Sequence, residues 1–128
     1  MQEDSIFTKI IKGEIPSYKI YEDDKTLAFL DIQPETAGHT LVVPKIQVDK
    51  IYDLPDDYYG ALWTTVKKVA ANLERVSGQR SLIKVIGTDV PHSHVHVFSL
   101  DPNRPAETDP PMADPEELAK QAAKFVLK

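Results

Sequence analysis

Six apolar side chains, Tyr59, Leu62, Val66, Val69, Leu73 and Val76, follow one another at steps of 3, 4, 3, 4 and 3 residues. That spacing predicts one buried face of a helix running from about Pro55 to Val76, with Pro55 suited to its first turn and Gly78 to the left-handed position just past its end. A helix of that length needs a second layer to lie on. The sequence offers one in short β-branched and aromatic runs: Ser17 to Tyr21, Thr26 to Asp31, His39 to Pro44, Ser81 to Gly87, and a run from Val90 or Pro91 to about Leu100. A capped short helix precedes them, opened by Asp4-Ser5 and ending near Gly13, and an amphipathic helix from Pro115 to Lys128 offers Leu118, Ala122, Phe125 and Val126. Asp101 to Pro115 holds five prolines and reads as a surface excursion. The expected fold class is α+β: an antiparallel sheet of about five strands with helices on one face. A lone sheet of that size has exposed edges, so a homodimer across an edge or a helix is expected.

Length and charge narrow the function classes. A chain of 128 residues suits a single domain, 1–128, with its core at about 4–100. Twenty acidic against 15 basic residues give a formal charge of −5, and the densest basic pair is only Lys67-Lys68, so no nucleic-acid partner is expected. Without cysteine there is no disulfide framework, thiolate nucleophile or cysteine-bound zinc, which fits a reducing compartment. No 18-residue apolar run occurs, so the chain is expected to be cytoplasmic, with no membrane partner.

Three of the four histidines fall at alternate positions in His92-Ser93-His94-Val95-His96-Val97-Phe98. On a strand, His92, His94 and His96 would share one face while Val95 and Val97 take the other. Such a face is poor core material, because every desolvated ring nitrogen needs a partner. It suits phosphate binding and nucleophilic or acid–base work near neutral pH. A solvated face without a role is one alternative. A metal site is another, although three such rings on a straight strand span roughly 13 Å and cannot share one ion. An ion would have to take two of them with a carboxylate such as Asp31 or Asp89.

The segment resembles the histidine triad motif, His-apolar-His-apolar-His-apolar-apolar, of a family of nucleotide hydrolases and transferases. Ser5-Ile6-Phe7-Thr8-Lys9-Ile10-Ile11, Glu14-Ile15-Pro16, Leu27-Ala28-Phe29-Leu30-Asp31-Ile32 and Gly38-His39-Thr40-Leu41-Val42-Val43-Pro44-Lys45 are similar, in order, to its small nucleotide-binding branch. The resemblance covers roughly residues 4 to 100. It implies a dimeric α+β fold that binds a purine nucleotide such as AMP or an AMP ester or amide, with no required cofactor. The middle histidine, His94, would attack the α-phosphorus and form a nucleotidyl-histidine that water then hydrolyses. His96 would stabilise phosphate charge, with His92 and His39 orienting the nucleophile. Ile6, Phe7, Ile10, Phe29 and Ile32 would surround the base and Asp31 would accept from the ribose hydroxyls. Read alone, Ile10 and Phe29 are as well explained as plain core, His39 as a satisfied interior histidine, and Asp31 as the start of a turn toward Pro34.

The chain departs from the family pattern before the triad. Leu82 to Pro91 is short and lacks an asparagine, and Thr88 and Asp89 stand where glutamine and serine are common phosphate contacts. No Walker loop, Gly-x-Gly-x-x-Gly or Gly-x-Ser-x-Gly elbow occurs, so phosphate is not held in those ways. Two functions remain open: a hydrolase of purine nucleoside phosphoramidates or nucleotide anhydrides, and a nucleotide sensor that keeps the pocket without turnover.

Overall fold

A computed structural model describes residues 3–88, 90–102 and 112–127. The elements are helix α1 (Ile6–Ile11), strands β1 (Lys19–Glu22), β2 (Thr26–Leu30) and β3 (Thr40–Pro44), a 3₁₀ turn at Ile51–Asp53, helix α2 (Asp56–Ser77), strands β4 (Ser81–Lys84) and β5 (Val95–Ser99), and helix α3 (Pro115–Phe125). The five strands form one antiparallel sheet in the order β1-β2-β3-β5-β4. β5 therefore returns to lie between β3 and β4, which sets the end of the histidine segment beside the strand that follows His39.

The central strands alternate between two apolar layers. Ala28, Leu30, Val42, Val95 and Val97 pack with Leu62, Val66, Val69 and Leu73 of α2 and with Leu118 and Phe125 of α3. Leu27, Phe29, Leu41 and Val43 pack with Phe7 and Ile10 of α1 on the other side. This corrects the expectation of helices on one face only: α1 is short, but its two buried residues find the second face of β2 and β3, which would otherwise stand open to water.

Three further corrections follow from local chemistry. Tyr59, placed on the helix stripe by spacing, is 45% exposed, because the buried face of α2 turns instead through Thr65 and Asn72. Thr65 bonds Thr26 at 2.7 Å and Asn72 Nδ2–H donates to the Phe125 carbonyl at 2.6 Å, so both polar groups are satisfied inside the core. β4 ends at Lys84 rather than Gly87, leaving Val85 and Ile86 exposed beyond it. β5 begins only at Val95, so His92 and His94 precede the strand. The proline-rich excursion lies mainly outside the described residues. Among the described residues no helix is long and apolar enough to cross a membrane.

Candidate active site

A cavity of about 360 Å³ opens on the α1 side of the sheet. Ile6, Phe7 and Ile10 of α1 form one wall, Phe29 and Leu41 the floor, Asp31 and Ile32 the far rim, and His94 and His96 one end. The volume and the mostly apolar lining with a few convergent polar groups suit a small organic ligand. Ile6 and Ile32 are about half exposed, so two large apolar side chains stand at the cavity's edge in water.

The histidines cluster, but not as a row on a pleat. His94 and His96 have ring centroids 5.3 Å apart, and His39 and His96 likewise 5.3 Å. Phe7 presents an edge-on contact to His94 at 4.9 Å and to His92 at 5.9 Å. All four rings thus gather on the α1 side while Val95 and Val97 enter the opposite core.

Hydrogen bonds to groups of fixed polarity assign the ring protons. A carbonyl oxygen only accepts, so His94 Nδ1–H donates to the His92 carbonyl at 2.8 Å. In the neutral ring the lone pair of His94 is then on Nε2. His92 Nε2–H donates to the Pro44 carbonyl at 2.9 Å, which makes its Nδ1 an acceptor. That nitrogen faces Ser5 Oγ at 2.8 Å and Thr8 Oγ1 at 3.2 Å. Thr8 commits its hydroxyl proton to Gln47 Oε1 at 2.6 Å, so Ser5 Oγ–H is the donor to His92. Full burial holds the His92 pKa below the ordinary histidine value; the Pro44 carbonyl opposes this and the neighbouring His94 adds to it. His92 is a neutral strut pinned at both nitrogens.

The second pair is fixed the same way. The Glu35 backbone N–H donates to His39 Nδ1 at 2.9 Å, so the His39 proton is on Nε2. Nε2–H points at His96 Nδ1, 3.1 Å away, which places the remaining proton of His96 on Nε2. Asp31 lies beside both, with Oδ2 3.6 Å from His39 Nε2 and 4.0 Å from His96 Nδ1. Its other oxygen accepts the Gln33 backbone N–H at 2.9 Å. Asp31 therefore starts the turn toward Pro34 and also faces the cavity.

Asp31, His39 and His96 each bring one ligand atom within 4.8 Å of the others, a spacing that could suit a cation. The proton assignment opposes it. His39 Nδ1 already receives a backbone N–H, so an ion on Nε2 would require an imidazolate. As arranged, the trio fits proton sharing and not a divalent ion.

Of the residues singled out in the sequence, Ile6, Phe7, Ile10, Phe29, Asp31, Ile32, His94 and His96 line one cavity, and His92 and His39 brace it from behind. Thr88 is not among them. It borders a second cavity, with Gly87, Ser93 and His94, on the side of Lys50 and Tyr52. Asp89 lies outside the described residues. Sequence reasoning missed Gln47, which binds both Ser5 N–H at 2.7 Å and Thr8, and it saw in Ser5 only a helix cap. A glutamine three residues past a strand-ending proline carries no pattern that would have flagged it.

The chain is similar to known proteins along most of its length. A model of the HIT domain matches residues 12–103. An uncharacterized HIT-like protein of Borreliella burgdorferi is 41% identical over 103 residues, 74% of each chain. The adenosine 5′-monophosphoramidase of Saccharomyces cerevisiae is 38% identical over 95 residues, 73% of this chain and 60% of its own. A crystal structure of a HIT-like protein from Bartonella henselae, described as involved in cell-cycle regulation and holding an unknown ligand, superposes with a TM-score of 0.87 at 28% identity, covering 97% of this chain and 95% of that one. A sheet that brings four histidines to the end of an apolar cavity, matched along most of its length by that domain model, belongs to the histidine triad family.

Proposed function

We propose that this protein is a nucleotide hydrolase that cleaves purine nucleoside phosphoramidates or nucleotide anhydrides through a nucleotidyl-histidine. One observation carries the reading: His94, which lines a nucleoside-sized cavity, has its Nδ1–H tied to the His92 carbonyl, so the nucleophilic lone pair of the neutral ring is on Nε2. In the first step Nε2 attacks the α-phosphorus, a P–N bond forms, and the bond to the leaving group breaks with its electron pair, which takes a proton from solvent water to give the free amine or acid. His96 Nε2–H donates to a phosphate oxygen and stabilises the charge that develops there. Water then attacks the same phosphorus, releasing the nucleoside monophosphate and regenerating the imidazole. The base lies between the α1 wall and Phe29, and Asp31 accepts from the ribose hydroxyls.

The named activity of the Saccharomyces relative supports the substrate class. No resident cofactor is called on in this route, since the nucleophile and the donor to the phosphate are both side chains of this chain, His94 and His96. Homodimerisation is part of the reading: β4 is an edge strand, and Ile83, Val85 and Ile86 on or just beyond it are exposed. The chain's lack of cysteine supports a cytoplasmic setting. The second reading is a sensor with negligible turnover: Thr88, a candidate phosphate contact, lies outside the main cavity, in a second one that it shares with His94. Incubation with adenosine 5′-phosphoramidate separates the two. Ammonia and AMP release by the wild type and not by His94→Ala is expected, and equal release by both, or by neither, would sink the hydrolase reading.

A further inference from the structure

The carboxy-terminal helix lies beyond the stretch that matches the domain model, yet it reaches back to the loop that carries Asp31 and His39. That loop is held near both ends by residues from 112–127. Ala113 N–H donates to the Ile32 carbonyl at 2.8 Å, and Gly38 N–H donates to Gln121 Oε1 at 2.9 Å. Gly38 is pressed so closely that a Cβ there would come within 2.8 Å of Leu73 and 2.9 Å of Phe125, and its φ of +89° is one that a side chain would strain.

Gln121 is the informative residue. It is 7% exposed, among the buried side chains of α3, where Leu118 and Phe125 do the packing. A buried amide is costly unless its oxygen and nitrogen are used. Here the oxygen accepts from the N–H of Gly38, the residue before His39, and Nε2–H reaches Glu117 at 3.3 Å. A helix that served only to plug the core would carry an apolar side chain at that position.

We propose that Gln121 is a positioning residue of the active site. By fixing the Gly38 peptide it sets where His39 directs Nε2–H, and through that bond it holds His96 in the tautomer that presents Nε2–H to substrate. The inference rests on the hydrolase reading for its kinetic arm, while ring-nitrogen NMR tests it independently of turnover. In Gln121→Met the ¹⁵N signals of His39 and His96 should shift toward mixed tautomers, and turnover of adenosine 5′-phosphoramidate should fall about tenfold with KM near wild type, since small misplacements of reacting groups cost that much or more. Gln121→Glu made together with Glu117→Gln reverses that donor–acceptor pair, keeps an acceptor for the Gly38 N–H and should keep the wild-type signals. Leu118→Ala removes packing from the same helix and should lower thermal stability without moving them. Wild-type ring signals in a folded Gln121→Met, equal shifts in Leu118→Ala, or large shifts in the Glu117→Gln/Gln121→Glu pair would each overturn the proposal. If Gln121→Met does not fold, Gln121→Ala, which also withdraws the acceptor from the Gly38 N–H, takes its place and is read in the same way. If the wild type itself turns nothing over, the hydrolase reading fails and the spectra alone decide for Gln121.

Discussion

The two faces of the sheet are built from the same strands and serve opposite ends. Toward α2 and α3, Leu30, Val42, Val95 and Val97 meet long helices and seal a continuous core. Toward α1, Phe29, Leu41 and Val43 meet a helix of only six residues, and the space left beside that helix, over Phe29 and Leu41, is the cavity. Alternate residues of β5 thus divide their labour: Val95 and Val97 stabilise the fold, while His96 between them faces the cavity. The lesson is that a binding site can arise where the covering layer is too small, at little cost to the opposite core.

Substitutions on the two faces should therefore separate activity from stability. The largest effect expected is from His94→Ala on the cavity side, a loss of turnover of at least about a thousandfold with AMP affinity held within about tenfold, measured by single-turnover kinetics and calorimetry. Leu62→Ala on the other side should cost about 2–5 kcal/mol in urea unfolding while turnover per folded molecule stays near wild type. A large drop in specific activity from Leu62→Ala would show that the faces are not independent. Asp31→Ala, back on the cavity side, should weaken AMP binding by about 1.5 kcal/mol or more, roughly tenfold in Kd; an unchanged Kd removes Asp31 from the ribose.

The smallest effect is a pH slope. Burial depresses the His92 pKa below its ordinary 6.5. Below that pH the unfolded chain takes up a proton that the folded chain refuses, so this part of the stability is complete above about pH 6.5 and is lost as pH falls toward the folded-state value. Glu22, lowered by hydrogen bonds from Lys45 and Lys19, adds a slope of the same sign only below its own ordinary 4.5. Comparing unfolding of the wild type and His92→Asn between pH 7 and 5 isolates the histidine, and parallel curves would show that His92 contributes none of the slope.

Much of this was legible in the residues. The helical stripe of α2, the capped α1 and the β-branched runs of β2 and β3 are local patterns, and they became the elements they suggested. The side of the sheet that takes α1 was not legible, because Phe7 and Ile10 advertise an apolar need without saying which face answers it. Nor were the ring protons. They depend on Pro44 and Ser5, which reach His92 by tertiary packing across 48 and 87 residues of chain, and on Glu35, which reaches His39 through the fold of the loop between them. Tyr59 misled because period alone cannot tell a stripe's edge from its centre, and Thr65 and Asn72 hid because buried polar residues look like surface ones until their partners are known.

β5 starts at Val95, and that late start has a consequence for anyone moving the motif elsewhere. A peptide inside a ladder gives its carbonyl to a neighbouring strand, whereas the His92 carbonyl, lying before the ladder begins, accepts from the His94 ring. Grafted onto a regular pleat in a foreign scaffold, the same seven residues would keep their alternation but surrender that acceptor. The transplanted imidazole could then settle with its proton on the wrong nitrogen, so a faithful graft must carry the irregular lead-in along with the histidines.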